Sequence, residues 1–401
     1  MVLSTNWREI LRTAEERRRA LHRWPELRWE ERKTAETIRA LLSAAHIPWR
    51  SCADTGTVAT ILPSGHAFAD GKHLAFRADM DALPIAETSG VPYASEVPAC
   101  MHACGHDGHM AALLAAGEWF QLHADALAGP VSLIFQPAEE GGHGAKKMIE
   151  AGALEGVDCI YGWHNWPALP LGQALCPEGT VMSGNGTFRI ELQGTGGHAS
   201  QPEATRDPVL ASAAVILNLQ QIVSRRLPPQ ADVVVSVTSV DARSGVTVTP
   251  ERAVLEGSIR FSRPHWREPV FHLIGEISRN TAASYGVEAE VTVSPRYDPT
   301  INHPEAADEY RRALRAEFGD AVSRTDLLLP IMASEDFGYY LQRIPGAFAL
   351  IGMSQADAEL GTRYDVPCHS PAYRFNDAVI APVVRVFARL AGVPLPGEDD
   401  A

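Results

Sequence analysis

The 401-residue sequence predicts an α/β protein: a body of helices around a mixed sheet, interrupted by a smaller β-α-β-β-α-β unit. Two observations predict this. Short apolar runs over 73–77, 131–135 and 158–163 are separated by a helical stretch, 110–123, which is the alternation of a layered sheet with much parallel pairing. From Ser183 onward the character changes, and over 187–192 Phe188, Ile190 and Leu192 alternate with polar neighbours, as in a half-buried strand. A helix (207–225), two strands (232–240 and 253–261), a helix (266–285) and a last strand (288–294) follow. That order is the split βαβ, or ferredoxin-like, unit.

The remaining elements belong to the body. Residues 17–22 and 31–45 read as helices, the second with Ile38, Leu41, Leu42 and Ala45 at helical spacing. After residue 299 the chain returns to helix and short strands, with an apolar run over 347–351 and a helix over 377–390. The acidic tail 397–401 reads as a frayed end.

Composition narrows the function. Hydrophobic residues make up 45% and charged residues 21%, as in an ordinary globular chain. The net charge of -14 and the scattered basic residues argue against a nucleic-acid partner. No apolar run approaches the roughly 20 residues that span a bilayer, and the Arg-rich first twenty residues lack the apolar core of a secretory signal. A cytoplasmic location without membrane contact is therefore expected. The six cysteines, Cys52, Cys100, Cys104, Cys159, Cys176 and Cys368, form no dense framework and read as free thiols.

Four clusters put metal-binding or acid-base side chains in loops that follow expected strands. They are Arg77-Ala78-Asp79-Met80-Asp81-Ala82-Leu83-Pro84, then Met101-His102-Ala103-Cys104-Gly105-His106-Asp107-Gly108-His109, then Gln136-Pro137-Ala138-Glu139-Glu140-Gly141-Gly142-His143, and lastly His164 with His369-Ser370-Pro371. Thiolate, imidazole and carboxylate all bind divalent transition metals, and Gly105 lets its neighbours turn toward one centre. Two adjacent carboxylates after a buried strand, Glu139 and Glu140, are costly unless a cation or proton relieves them. One can ligate while the other acts as a general base.

With these motifs in order, the chain resembles the M20 metallopeptidase family, in the branch of hippurate hydrolases, N-acyl-amino-acid amidohydrolases and auxin-conjugate hydrolases. The resemblance also includes Leu21-His22-Arg23-Trp24-Pro25-Glu26-Leu27, Gly194-Thr195-Gly196-Gly197-His198-Ala199-Ser200 and Ser334-Glu335-Asp336-Phe337. It implies a catalytic α/β/α domain (1–184 and 299–401) and an inserted ferredoxin-like lid and dimerisation domain (185–298). By the same resemblance two divalent ions, manganese or zinc, are held by Cys104, His106, Glu140, His164 and His369, with Glu139 as acid and base. Asp81 resembles an aspartate that orients a ligand, the alternative being a simple cap. His198 is expected to help hold the oxyanion in the partner subunit of a homodimer, and Arg260 to pair with a substrate carboxylate, the alternatives being an exposed turn histidine and a surface ion pair. His102, His109 and His143 lie beside the site and are left out of the ligand set.

The expected reaction is hydrolysis of the amide of a small N-acyl amino acid. The chain departs from the family pattern near the lid: Thr247 stands where many relatives have asparagine, Ser183-Gly184-Asn185-Gly186 lacks a frequent aspartate, and Glu203 replaces a frequent histidine. Glu203 suggests a substrate with a second amino group, such as N-acetyldiaminobutyrate. The rival readings are a dipeptidase, carboxypeptidase or N-carbamoyl amino acid hydrolase on the same fold, and a non-catalytic binding protein.

Overall fold

A computed structural model of the chain describes residues 6–64, 71–322, 327–356 and 364–396. The expected frayed tail, 397–401, lies outside them. In chain order the elements are α1 (Trp7–Arg23), α2 (Arg32–Ala44), β1 (Trp49–Cys52), β2 (Gly56–Ile61), β3 (Leu74–Asp79), α3 (His106–Leu122), β4 (Val131–Gln136), α4 (Gly144–Glu150), β5 (Cys159–Pro170), β6 (Ala174–Leu175) and β7 (Gly179–Met182). Then come β8 (Gly184–Gln193), β9 (Gly197–His198), α5 (Pro208–Leu219), β10 (Val233–Asp241), β11 (Val248–Thr249), β12 (Arg252–Phe261), α6 (Arg267–Ser284) and β13 (Glu288–Pro295). The chain finishes with β14 (Thr300–Asn302), α7 (Pro304–Phe318), α8 (Gly338–Leu341), β15 (Gly346–Ser354) and α9 (Ile380–Ala391). Two compact units divide it: Met1–Val181 with Ile301–Leu328 and Asp336–Ala401, and Met182–Thr300 with Leu329–Glu335.

The first unit holds a seven-stranded sheet in the order β1-β2-β4-β3-β5-β15-β6. Its centre, β4-β3-β5-β15, is parallel, while β2 and β6 join it antiparallel at either side. The central strands are apolar along nearly their whole length because both faces are covered. Phe76 on β3 shows the packing: its ring centroid is 4.5 Å from Phe387 of α9 and 5.6 Å from Phe120 of α3. The next residue, Arg77, turns to the other face and is equally buried.

Helix α3 begins at His106, four residues before the expected start. Gly105 caps it at φ 96, and Asp107 sits in the first turn, where a carboxylate meets the positive end of the helix. The polar run His106-Asp107-Gly108-His109 reads as loop by composition, yet it forms the buried first turn of a helix that is buried all round as far as Phe120. The β1–β2 hairpin was also not expected. Its turn places Ala53 and Asp54 at φ 50 and 64 without the Asn-Gly pair that signals such a turn.

The second unit is a four-stranded antiparallel sheet, β10-β12-β8-β13. Phe188, Ile190 and Leu192 of β8 enter a core with Leu255, Ile259 and Phe261 of β12, Val215 and Leu219 of α5 and Ile274 and Ile277 of α6. On the other face Arg189 pairs with Glu191 and Glu256, and Arg252 with Glu191. Two-residue periodicity is the physical cause of that separation. The long expected helix over 207–225 is divided: α5 ends at Leu219 and a π-helical turn, Ile222–Arg226, follows. Among the described residues no helix is long and apolar enough to cross a membrane.

A buried ionic cluster ties α1 to the start of α3. Arg18 Nη1 lies 3.3 Å and His22 Nδ1 2.9 Å from Asp107 Oδ2, while Arg18 Nε lies 2.5 Å from Asp377 and His22 Nε2 3.2 Å from Glu87. Burial opposes charge on His22, but Asp107 and Glu87 outweigh it and push its pKa up from 6.5 to about 9. The stabilisation from His22 is thus complete below pH 6.5 and is lost as pH rises through about 9. It amounts to something on the order of 3 kcal/mol. Urea midpoints measured between pH 6 and pH 10 should fall more steeply for the native chain than for His22→Gln; equal declines would refute the assignment.

Candidate metal centre

The C-terminal ends of β3 and β4, the middle of β5 and the start of α3 converge on one cluster in the first unit, at the position where open α/β sheets place their sites. The cluster is mostly buried, with Glu140 half-buried and His369 exposed. Cys104 Sγ lies 3.3 Å from His164 Nε2, and Glu140 Oε1 lies 3.0 Å from His369 Nε2. Three overlapping triads have donor atoms within 4.8 Å of one another: Cys104-His106-His164, Cys104-Glu140-His369 and His106-Glu139-Glu140. Six of the expected site residues therefore meet.

The local backbone explains how close neighbours share one centre. At Gly105, φ is 96, and a Cβ there would come within 2.3 Å of Asn165 Oδ1. Only glycine makes that turn without strain. Ala138 and His369 also adopt left-handed backbone, at φ 54 and 67, and His369 N donates to the Ala103 carbonyl at 2.8 Å.

Asp81 is central. Its Oδ1 accepts the Glu139 amide at 3.0 Å and its Oδ2 the Glu140 amide at 2.8 Å. The imidazole of His106 is oriented mainly by the Asp81 main chain, with Nδ1 2.8 Å from the carbonyl and 3.5 Å from Oδ1. Asp336 supports the same loop: its Oδ2 accepts the Ala145 amide at 2.9 Å, its Oδ1 accepts from Arg77 at 3.0 Å and from Gln136 at 2.8 Å, and its own amide donates to Glu139 Oε1 at 3.3 Å.

His109, excluded as a ligand on sequence, has both ring nitrogens engaged, Nδ1 2.6 Å from Asp79 and Nε2 2.7 Å from Asn165. Asp79, Asn165 and Asp336 were not singled out by sequence reasoning as site residues. Asp79 and Asp336 stand in noted motifs; Asn165 gives a signal only as the neighbour of His164. His102 is fully buried, and burial lowers its pKa to about 4.

The electrostatics suit a cation. Burial and the neighbouring His109 drive the His164 pKa well below its usual value, leaving a neutral imidazole, the form that ligates metal. Burial works against ionisation of Glu140, but the contact with His369 outweighs it and keeps the carboxylate ionised. The Cys104 thiol is pushed up by its hydrogen bond with Cys368 and by burial, a preference that a coordinating divalent ion reverses. His106 Nε2 is buried without a hydrogen-bond partner. A buried polar atom left so is costly, and cation coordination relieves it. The donor set fits divalent metal ions.

His198 and Arg260 belong to the second unit. His198 lies on β9, exposed, with Nδ1 2.7 Å from Ser200 Oγ and its backbone paired with Val248. Arg260 on β12 donates to Ser334 Oγ at 2.8 Å. Asn185, in the segment that departs from the family pattern, accepts the Tyr297 amide at 2.8 Å and so links the two ends of this unit's chain. Thr247 accepts the Ala199 amide through its carbonyl, and Glu203 is exposed in a short turn, Pro202–Ala204.

Comparison with known proteins gives the family. The model of peptidase family M20/M25/M40 matches residues 75–392. IAA-amino acid hydrolase ILR1-like 2 of Arabidopsis thaliana is 37% identical over 93% of this chain and 83% of its own. N-acetyl-L-cysteine deacetylase of Bacillus subtilis is 36% identical over 90% of this chain and 81% of its own. The crystal structure of the Bacillus subtilis YXEP protein, a dinuclear metal-binding peptidase from the M20 family, superposes with a TM-score of 0.79 at 31% identity, covering 96% of this chain and 98% of that one. On these matches the chain belongs to peptidase family M20/M25/M40 and is a metal-dependent hydrolase of amide bonds.

Proposed function

We propose that this protein hydrolyses the amide bond of N-acyl amino acids, releasing a carboxylate and a free amino acid. The observation that carries the reading is the overlap of the donor triads around Cys104 and Glu140, with the buried Glu139 carboxylate in the same cluster. Both curated relatives described above carry names of amide hydrolysis on an acylated amino acid, which supports the substrate class.

In this reading Cys104, His106, Glu140, His164 and His369 hold two divalent ions, manganese or zinc; the thiolate suits zinc and the carboxylate and imidazoles accept either. When bound, such ions polarise the amide carbonyl and acidify water. Glu139 takes the proton of the attacking water on a carboxylate oxygen and delivers it to the leaving nitrogen. The Asp336 amide at Glu139 Oε1 and the Asp81 carboxylate on the Glu139 amide keep that carboxylate aimed. We assign His198, with its ring held by Ser200, to oxyanion stabilisation in the partner subunit's site, and Arg260 to the substrate carboxylate by paired N–H donors.

The first unit, approximated by 1–184 and 299–401, is assigned the catalytic role, and 185–298 the role of ferredoxin-like lid and dimerisation domain. An exposed apolar stripe on α5, with Leu210 and Leu217 56% and 72% exposed, supports self-association through this unit. The six free thiols of the chain, all in the first unit, suit a reducing, cytoplasmic compartment. Glu203 favours a substrate with an extra amino group, such as N-acetyldiaminobutyrate.

Turnover should vanish on chelation and return with manganese or zinc, and Glu139→Ala should lower kcat by about 10²–10⁴-fold. A panel of N-acetyl, N-benzoyl and N-carbamoyl amino acids, dipeptides and N-acetyldiaminobutyrate ranks the substrates. Metal-loaded protein inert toward every amide would sink the reading. Leu217→Glu should convert a dimer to monomer in sedimentation analysis, and a dimer unaffected by this charge would remove α5 from the interface.

A further inference from the structure

The segment between α1 and α2 has no role in the site as assigned so far, although it contains Pro25-Glu26-Leu27 of the family-like motif. It braces the loop that carries Glu139 and Glu140. Arg28 Nη1 donates to the Glu140 carbonyl at 2.6 Å, and Trp29 Nε1 to the Gly142 carbonyl at 3.2 Å. Glu31 is fully buried; its Oε1 accepts the Ala138 amide at 2.9 Å and its Oε2 accepts the Thr55 hydroxyl at 2.9 Å.

Ala138 is the hinge of the turn, held at φ 54, a conformation that a non-glycine residue keeps when its surroundings impose it. The amides of Ala138, Glu139 and Glu140 are each taken by a carboxylate oxygen, the first from Glu31 and the next two from Asp81. Glu26 anchors the brace from its other side, accepting from the Thr34 amide and hydroxyl at 2.9 Å at the start of α2.

We propose that Glu31 is a positioning residue for the hydrolysis: by holding the Ala138 amide it sets the left-handed turn that aims the Glu139 carboxylate. The inference rests on the reading of Glu139 as the acid-base residue. Burial and the nearby Asp81 raise the Glu31 pKa to about 7. A neutral carboxyl still accepts the Ala138 amide and donates to Thr55 instead, so Glu31→Gln preserves both contacts. Glu31→Asp shortens the reach by one methylene and breaks them.

The test uses the full-length, metal-loaded protein and compares Glu31→Asp, Glu31→Leu and Glu31→Gln, with kcat and KM measured separately. Misplacement of the Glu139 carboxylate should lower kcat by about 10²-fold for Asp and Leu with KM within about threefold, and Gln should recover kcat to within about fivefold. Bound-metal content should stay at the native level. Hydrogen exchange in a peptide spanning 136–143 should accelerate for Glu31→Asp and not for Glu31→Gln. Glu31→Asp with native kcat and native exchange would overturn the proposal, as would a Gln variant as impaired as Leu. If Glu31→Leu fails to fold, the Asp and Gln pair decides. A fully active Glu139→Ala would overturn the reading beneath it, whereas an inactive Glu139→Ala beside an unimpaired Glu31→Asp overturns the positioning role alone.

Discussion

Both oxygens of Asp81 are spent on successive backbone amides, those of Glu139 and Glu140, and the centre depends on that contact. A carboxylate buried at the end of one strand is costly, and two amides at the start of a tight turn need acceptors. The two requirements cancel only if β3 and β4 end side by side, which their parallel pairing from Leu74–Val131 to Asp79–Gln136 ensures. Asp81 thus converts a sheet register into the placement of two glutamates.

The same economy runs through the polar layer around it. Arg77, buried in a strand, joins Asp79, Gln136 and Asp336; His109 joins Asp79 and Asn165; Asp107 joins Arg18 and His22. Each buried charge has an opposite or hydrogen-bonding partner on another element, so loss of one member strands the others. Buried networks of this kind rigidify their surroundings where their members are paired. The side chains that reach the donor cluster come from segments far apart in sequence.

Much of the site was legible because its chemistry is expensive elsewhere. Adjacent Glu139 and Glu140 after an apolar strand, and Cys104 two residues from His106 across a glycine, are each weak signals alone and gain weight from standing together with His164 and His369. Most of the supporting residues carried no such mark. Asp336 stands in a family-like motif that by itself assigns it no role, Asn165 and Glu31 are ordinary polar residues in sequence, and the importance of all three lies in which backbone amides and rings they meet. The start of α3 was misjudged for a related reason: a His-Asp-Gly-His run reads as solvated loop, yet burial against partners makes it the first turn of a central helix.

Local periodicity determined the main strands of the second unit and its helix α6 nearly to their ends, since alternation along β8 follows directly from side chains pointing to opposite faces. The sequence by itself also determined the donor types, the two glutamates and the family to which the chain belongs. Only the tertiary structure decided how the donors group, because the triads join residues from the start of α3, the loop after β4, the middle of β5 and the segment after β15. It alone decided that Asp81 directs its carboxylate to two amides and its carbonyl to His106, and that Glu31 completes the clamp. Hydrogen bonds across such separations depend on strand order and register, quantities that local composition does not encode.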